Sequence, residues 1–311
     1  MQLLPYFCKK FQMGSKKNTL QDMKHLLLSL LLAASTLAVS ANDSITVEQM
    51  LTKGLRQPQH TNLMLYYANQ LKGLPYVAKT LEVNATEQLA VNLTSLDCTT
   101  LVENVLALCL TTQERRSHFA DFKRNLLRIR YRGGVLNGYA SRNHYFSEWI
   151  LSNEQLGIVQ EVKGHANDRR APYYPFVEQQ TLRCTYMSEH PELYPMLRND
   201  MEARRLIAAN EQRINGRKVR YIPKRLLNGS RKELACIQDG DILAIVTKKA
   251  GLDISHIGLA VWGKDGRLHL LNASQIHKKV VLEPMTLYEY MQKHSSQIGI
   301  RVIKCKGKSE K

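Results

Sequence analysis

Three residues of this chain have the types and surroundings that acyl transfer needs: Cys98, His256 and Asn272. Cys98 follows Ser95-Leu96-Asp97 and heads a stripe in which Leu101, Val102, Val105, Leu106 and Cys109 recur at helical spacing. The stripe makes Cys98 the first, inward-facing residue of a helix, with Ser95 or Asp97 as its cap and Glu103 suited to its positive end. A thiol at a helix N-terminus sits among unpaired amides and the positive end of the dipole, which favour the thiolate that attacks carbonyls.

A lone inward cysteine is more often a small core residue than a nucleophile. What points to chemistry is His256 at the start of the apolar run Ile257 to Trp262, with Asn272 one hairpin further on. A loop of three or five residues centred on Lys264 pairs His256 with Asn272 on one sheet face and His269 with Leu259 on the other. Asn272 rather than His269 then fixes one ring nitrogen as donor and leaves the other to act as base.

These side chains need a scaffold. Residues 45–71 read as helical through Val47, Met50, Leu51, Leu55, Leu63, Leu65 and Leu71, and residues 81–94 lead to Cys98 with brief alternation at Leu81 and Val83. Residues 115–221 are polar, aromatic and Arg-rich, and read as loops and short helices. From Asp239-Gly240-Asp241 onward the chain reads as strands over 242–246, 256–262, 268–272, 280–282 and 298–303. Helices first and strands second predict an α+β domain, the nucleophile helix packed on an antiparallel sheet of about five strands, with helical and loop additions.

Residues 1–41 read as a leader: Lys24-His25, an apolar run from Leu26 to Val39, and a small-residue cleavage site at Ser40-Ala41. Residues 42–311 then form a single domain. Met23 just before the run leaves open whether residues 1–22 are translated. The chain is expected to be exported, periplasmic or extracellular, from a bacterium, without a stable membrane anchor. The formal charge of +17 falls to +13 without the leader, which holds five lysines and one aspartate. An exported basic surface suits anionic wall polymers or carboxylated peptides rather than nucleic acid. Five cysteines remain, at spacings that match neither a disulfide framework nor a zinc site, so at least one thiol is expected to be free.

The segments Leu96-Asp97-Cys98-Thr99-Thr100-Leu101-Val102, Asp239-Gly240-Asp241-Ile242, Ser255-His256-Ile257-Gly258 and Asn272-Ala273-Ser274 together resemble the NlpC-type papain-like cysteine peptidases. More narrowly, over residues 60 to 305, they resemble the N-acetylmuramoyl-L-alanine amidase-like branch. The resemblance implies a papain-like core, a Cys98, His256, Asn272 triad and no cofactor or metal. Asn272 stands where many relatives carry histidine. The implied reaction is hydrolysis of peptidoglycan fragments between the muramic acid lactyl group and L-alanine, preferentially in anhydro-muropeptides. A monomer is expected.

The residues Tyr139, Arg142, His144, Tyr145 and Trp149 offer a cleft wall able to hold peptide and sugar, and a basic cleft would favour the carboxylates of the peptide stem. Two other readings stand beside the amidase: an endopeptidase cutting within the stem next to γ-D-Glu, and a non-catalytic wall-binding module. Signatures of zinc peptidases, serine hydrolases and nucleotide-binding loops are missing from the sequence.

Overall fold

The structure is a computed structural model in which residues 43–163 and 175–306 are described. The expected leader lies outside the described residues. The described residues fall in one compact unit.

Helix α1 (residues 43–55) buries Val47, Met50 and Leu51, spaced so that they share one face. The chain breaks at Pro58, which cannot continue a helix, and restarts as α2 (Leu63–Gln70), whose cap Asn62 accepts from the Leu65 amide at 3.1 Å. The stretch read as helical is therefore two helices. Residues 81–94 form no strand, and Val83 is exposed.

Helix α3 (Cys98–Gln113) is buried on all sides, from Thr100 through Cys109 and at Thr111 and Thr112. Around it lie α4 (Phe119–Arg130) and α5 (Phe146–Gln155). Farther along come α6 (Tyr186–Glu189), α7 (Met201–Ile214) and α8 (Leu287–Gln292). The middle of the chain is more helical than its composition suggested. In α4 the buried Phe122, Leu126 and Ile129 sit among arginines and a lysine that obscure the stripe.

Eight antiparallel strands, rather than five, make the sheet among the described residues. They are β1 (Val159–Glu161), β2 (Glu178–Thr181), β3 (Lys218–Pro223), β4 (Ile242–Thr247), β5 (Ile254–Trp262), β6 (Leu268–Ser274), β7 (Lys279–Leu282) and β8 (Gln297–Cys305). The order is β2-β3-β8-β4-β5-β6-β7, with β1 also paired to β8. Of the unforeseen β1, β2 and β3, the first two are short, and β2 reads Glu-Gln-Gln-Thr, with none of the apolar alternation that identifies a strand.

All six residues of β4 are buried because both faces of the sheet are covered. Ile242 and Ala244 join Ile257, Leu259, Leu271 and Ala273 beneath α1 to α5. Leu243 and Ile245 join Ala260, Trp262, Leu270 and Val302 beneath α8 and the segment holding Leu227, Leu234 and Ile237. A third cluster ties Tyr139, Ala140 and Tyr145 to α6 and α7.

The β5–β6 hairpin corrects the expected register. Trp262 pairs with Leu268, so the five-residue loop is centred on Asp265, one residue later than Lys264, and His269 faces Val261 instead of Leu259. Gly266 takes the left-handed φ of 72° that closes this loop. His256 thus lies diagonal to Asn272 rather than opposite it. Moving the centre by one residue keeps both side chains on the same face, because strand side chains alternate with period two.

Candidate active site

Cys98 is the first residue of α3, and Asp97 is its cap. The Asp97 carboxylate accepts from the Thr100 amide at 2.8 Å, and the Thr100 hydroxyl accepts from the Asp97 amide at 2.9 Å. This reciprocal box fixes the first turn and points the early amides toward the thiol. Glu103 plays a different part from the one its position suggested. It turns inward and pairs at 2.7 Å with Arg130, both almost fully buried.

The Ile257 amide and the Thr99 amide and hydroxyl act as donors that lower the Cys98 pKa. Burial nevertheless pushes the thiol up to about 11, the neighbouring Asp97 carboxylate adding to the rise while those donors oppose it. Desolvation thus outweighs the dipole and favours the neutral thiol over the thiolate expected at a helix N-terminus.

His256 occupies an irregularity of β5. Ile245 pairs with His256 but Val246 pairs with Ile254, so Ser255 is an extra residue, a device that re-aims side chains at sites. His256 Nε2 lies 2.9 Å from Asn272 Oδ1, while Asn272 Nδ2 donates to the Leu270 carbonyl at 3.3 Å. Because Oδ1 can only accept, Nε2 carries the proton and Nδ1 keeps the lone pair in the neutral ring. Burial holds the imidazole below its ordinary value, against the Asn272 bond, which raises it, and with His294 lowering it further.

Gly258 permits this assembly. A Cβ there would come within 2.8 Å of the Leu271 carbonyl oxygen and 2.9 Å of the Leu270 side chain, so any larger residue would push β6 and Asn272 away.

Cys98, His256 and the whole wall group Tyr139, Arg142, His144, Tyr145 and Trp149 line one cavity of about 340 Å³. Several of these wall residues are committed elsewhere. Arg142 pairs with Glu82 and Glu87, so its fork is not open for a bidentate substrate contact. Tyr145 donates to Glu211 at 2.7 Å, His144 Nε2 lies 2.8 Å from the Tyr139 carbonyl, and Trp149 stacks on Phe146 with centroids 4.8 Å apart.

The lining is not basic either. Glu82, Asp97, Glu103 and Asp253 face only Lys79 and Arg142 as formal cations. Sequence reasoning missed Lys79 and Glu82, from the loop before α3, and Tyr194 and Asp253, from two other loops; none carries a local signature.

Over residues 66–300 the chain matches the family model described as AmiA-like, N-acetylmuramoyl-L-alanine amidase-like. Among solved structures, it is similar to an N-acetylmuramoyl-L-alanine amidase from Bacteroides uniformis, with 38% identity and a TM-score of 0.70 over 78% of this chain and 97% of that one. It is also similar to a Bacteroides fragilis protein whose name proposes a xylanase, with 40% identity and a TM-score of 0.68 over 77% and 99%. A Legionella pneumophila protein shares the fold at 19% identity, with a TM-score of 0.65 over 86% and 96%. No curated protein sequence matches the chain. The match across most of the chain, and the near-complete coverage of a solved relative of that name, place this protein in the N-acetylmuramoyl-L-alanine amidase-like family.

Proposed function

We propose that this protein is a peptidoglycan amidase that cleaves the bond between the lactyl group of muramic acid and L-alanine, with Cys98 as nucleophile, His256 as base and Asn272 as its orienter. The observation that carries the reading is the 2.9 Å bond between His256 Nε2 and the buried Asn272 Oδ1, with His256 and Cys98 lining one cavity. A nucleophile, a base and an orienter on a helix start and two adjacent strands are the parts of a papain-like core.

In this mechanism His256 Nδ1 takes the thiol proton as the Cys98 sulfur attacks the lactyl carbonyl carbon. The resulting oxyanion accepts from the Cys98 amide, which has no intrahelical acceptor at the first position of α3. The carbon–nitrogen bond breaks as the imidazolium returns its proton to the departing L-alanine nitrogen, leaving a muramoyl thioester. His256 then takes a proton from water as the water oxygen attacks the thioester. The carbon–sulfur bond breaks, and the proton passes back to sulfur. Starting from a neutral pair suits this sequence, because the base is available and the charge develops only as the new bond forms.

The neighbour named for xylan hydrolysis raises a glycosidase reading, which needs two carboxylates across the scissile bond. Those of this cavity are engaged: Asp97 caps α3, Glu103 holds Arg130, Glu82 holds Arg142, and Asp253 accepts from the Ser147 amide at 2.6 Å at the start of α5. The amidase reading uses none of them.

An anhydro specificity and an exported location belong to this proposal. The test is incubation of wild type and Cys98→Ala with anhydro-muropeptides, followed by mass spectrometry. Release of the intact stem peptide by wild type alone supports the amidase. A dipeptide product would move the bond to the stem, and no cleavage of any muropeptide would refute the enzyme reading.

A further inference from the structure

The basic cleft that the composition foreshadowed lies on the other side of α5. A second cavity, of about 400 Å³, is lined by Ser147, Ile150, Leu151 and Glu154 of that helix, whereas Phe146 and Trp149 of the same helix line the catalytic cavity. Two carboxylates border the second cavity, and both are matched: Glu154 pairs with Lys163 at 3.0 Å and Glu161 with Arg301 at 2.5 Å. Arg217, Lys218 and Arg220 also line it, and none of the three pairs with a carboxylate among the described residues.

Arg301 is the built feature of this cavity. It is only 3% exposed, held through Nε by Glu161 and through Nη1 by the Ser147 hydroxyl at 2.6 Å. Among the described residues its Nη2 makes no hydrogen bond. A guanidinium fixed at two of its nitrogens presents the third in a defined direction at little further loss of side-chain freedom. Ile150, Leu151, Leu182 and Ile214 add apolar wall around the buried Arg301. Lys218 and Arg220 are two residues apart on β3 and extend the same positive side toward solvent.

We propose that this cavity is a binding site for a small polyvalent oxyanion, a polycarboxylate or a phosphate, held by Arg301 Nη2 at its base and by Arg217, Lys218 and Arg220 at its rim. The site does not depend on the amidase reading, since it shares neither Cys98 nor His256.

The experiment is titration calorimetry of the full chain with citrate and, separately, with inorganic pyrophosphate. Three variants accompany wild type: Cys98→Ala, a rim triple (Arg217→Gln, Lys218→Gln, Arg220→Gln), and a control triple (Lys72→Gln, Lys264→Gln, Lys293→Gln) that removes the same charge from other exposed positions. Saturable binding of one ligand per chain is expected. The rim triple should weaken it by about tenfold or more, as the loss of even one charge-assisted hydrogen bond would, and Cys98→Ala and the control triple should leave it unchanged. Citrate alone binding would assign carboxylate chemistry, and pyrophosphate alone would assign phosphate. Binding of neither probe, equal binding by the rim triple, or an equal loss in the control triple would overturn the proposal. Because the rim residues are exposed, their replacement does not threaten folding, which replacing Arg301 would.

Discussion

Replacing Asn272 with alanine should lower kcat/KM without unfolding the protein, and the structure sets the size of the loss. Among the described residues, Asn272 Oδ1 is the hydrogen-bond partner of the His256 ring, at 2.9 Å. It acts most strongly when the ring is an imidazolium, in the step where Cys98 attacks. A hydrogen bond to a charged group contributes about 1.5–3 kcal/mol. If that stabilisation is expressed in the transition state, its loss is about 10- to 150-fold in rate. The same bond raises the His256 pKa, so its removal must lower it. The acid limb of kcat/KM therefore moves to lower pH in Asn272→Ala while the plateau falls. The assay is the initial rate of stem-peptide release from an anhydro-muropeptide between pH 4 and 8, with thermal melts confirming the fold. A folded Asn272→Ala enzyme within about twofold of wild type at pH 7, or one whose acid limb moves upward, would refute the orienting role, since a lost bond of this class removes at least about tenfold.

Wild type itself should show an acid limb centred below pH 6.5, because burial keeps the imidazole neutral to lower pH than a free histidine; the pH–rate profile measures this. Asp97→Ala removes the cap of α3 and should destabilise the protein by about 0.5–2 kcal/mol in urea unfolding. It should also lower the Cys98 pKa, since the Asp97 charge raises it, so iodoacetamide would alkylate Cys98 faster at a given pH. Gly258→Ala should cost about 1–3 kcal/mol through overpacking against Leu270 and Leu271, and should lower activity by moving Asn272, both read from melts and rates on one preparation. Arg130→Met leaves Glu103 charged and buried without its partner, and should destabilise by about 3–5 kcal/mol in denaturant titration.

The local elements that carry the candidate triad were legible because their signals are local. The stripe from Cys98 to Cys109 is a helix that begins at Cys98, and Asp97 caps it, because capping and helical periodicity depend on residues only a few positions apart. The runs after Asp239 became β4 to β8 for the same reason, each being apolar over its own length. That His256 and Asn272 share a face followed from the alternation of a strand, which survived an error of one residue in the centre of the hairpin.

What the chain could not reveal along its length were properties set by neighbours from distant segments. Strands β1 and β3 exist because β8 offers them a partner, and β2 because β3 does; the residues of β1 and β2 give no sign of it. The raised pKa of Cys98 comes from desolvation in the cavity wall, which opposes what the helix N-terminus alone would favour. The charge of each cavity was likewise decided by folding. The sequence determined that the protein is basic, but only the tertiary structure gathers Glu82, Asp97, Glu103 and Asp253 around the thiol and leaves Arg217, Lys218 and Arg220 on the far side of α5. A net charge is a sum over residues, whereas a binding site depends on where in space each charge lies.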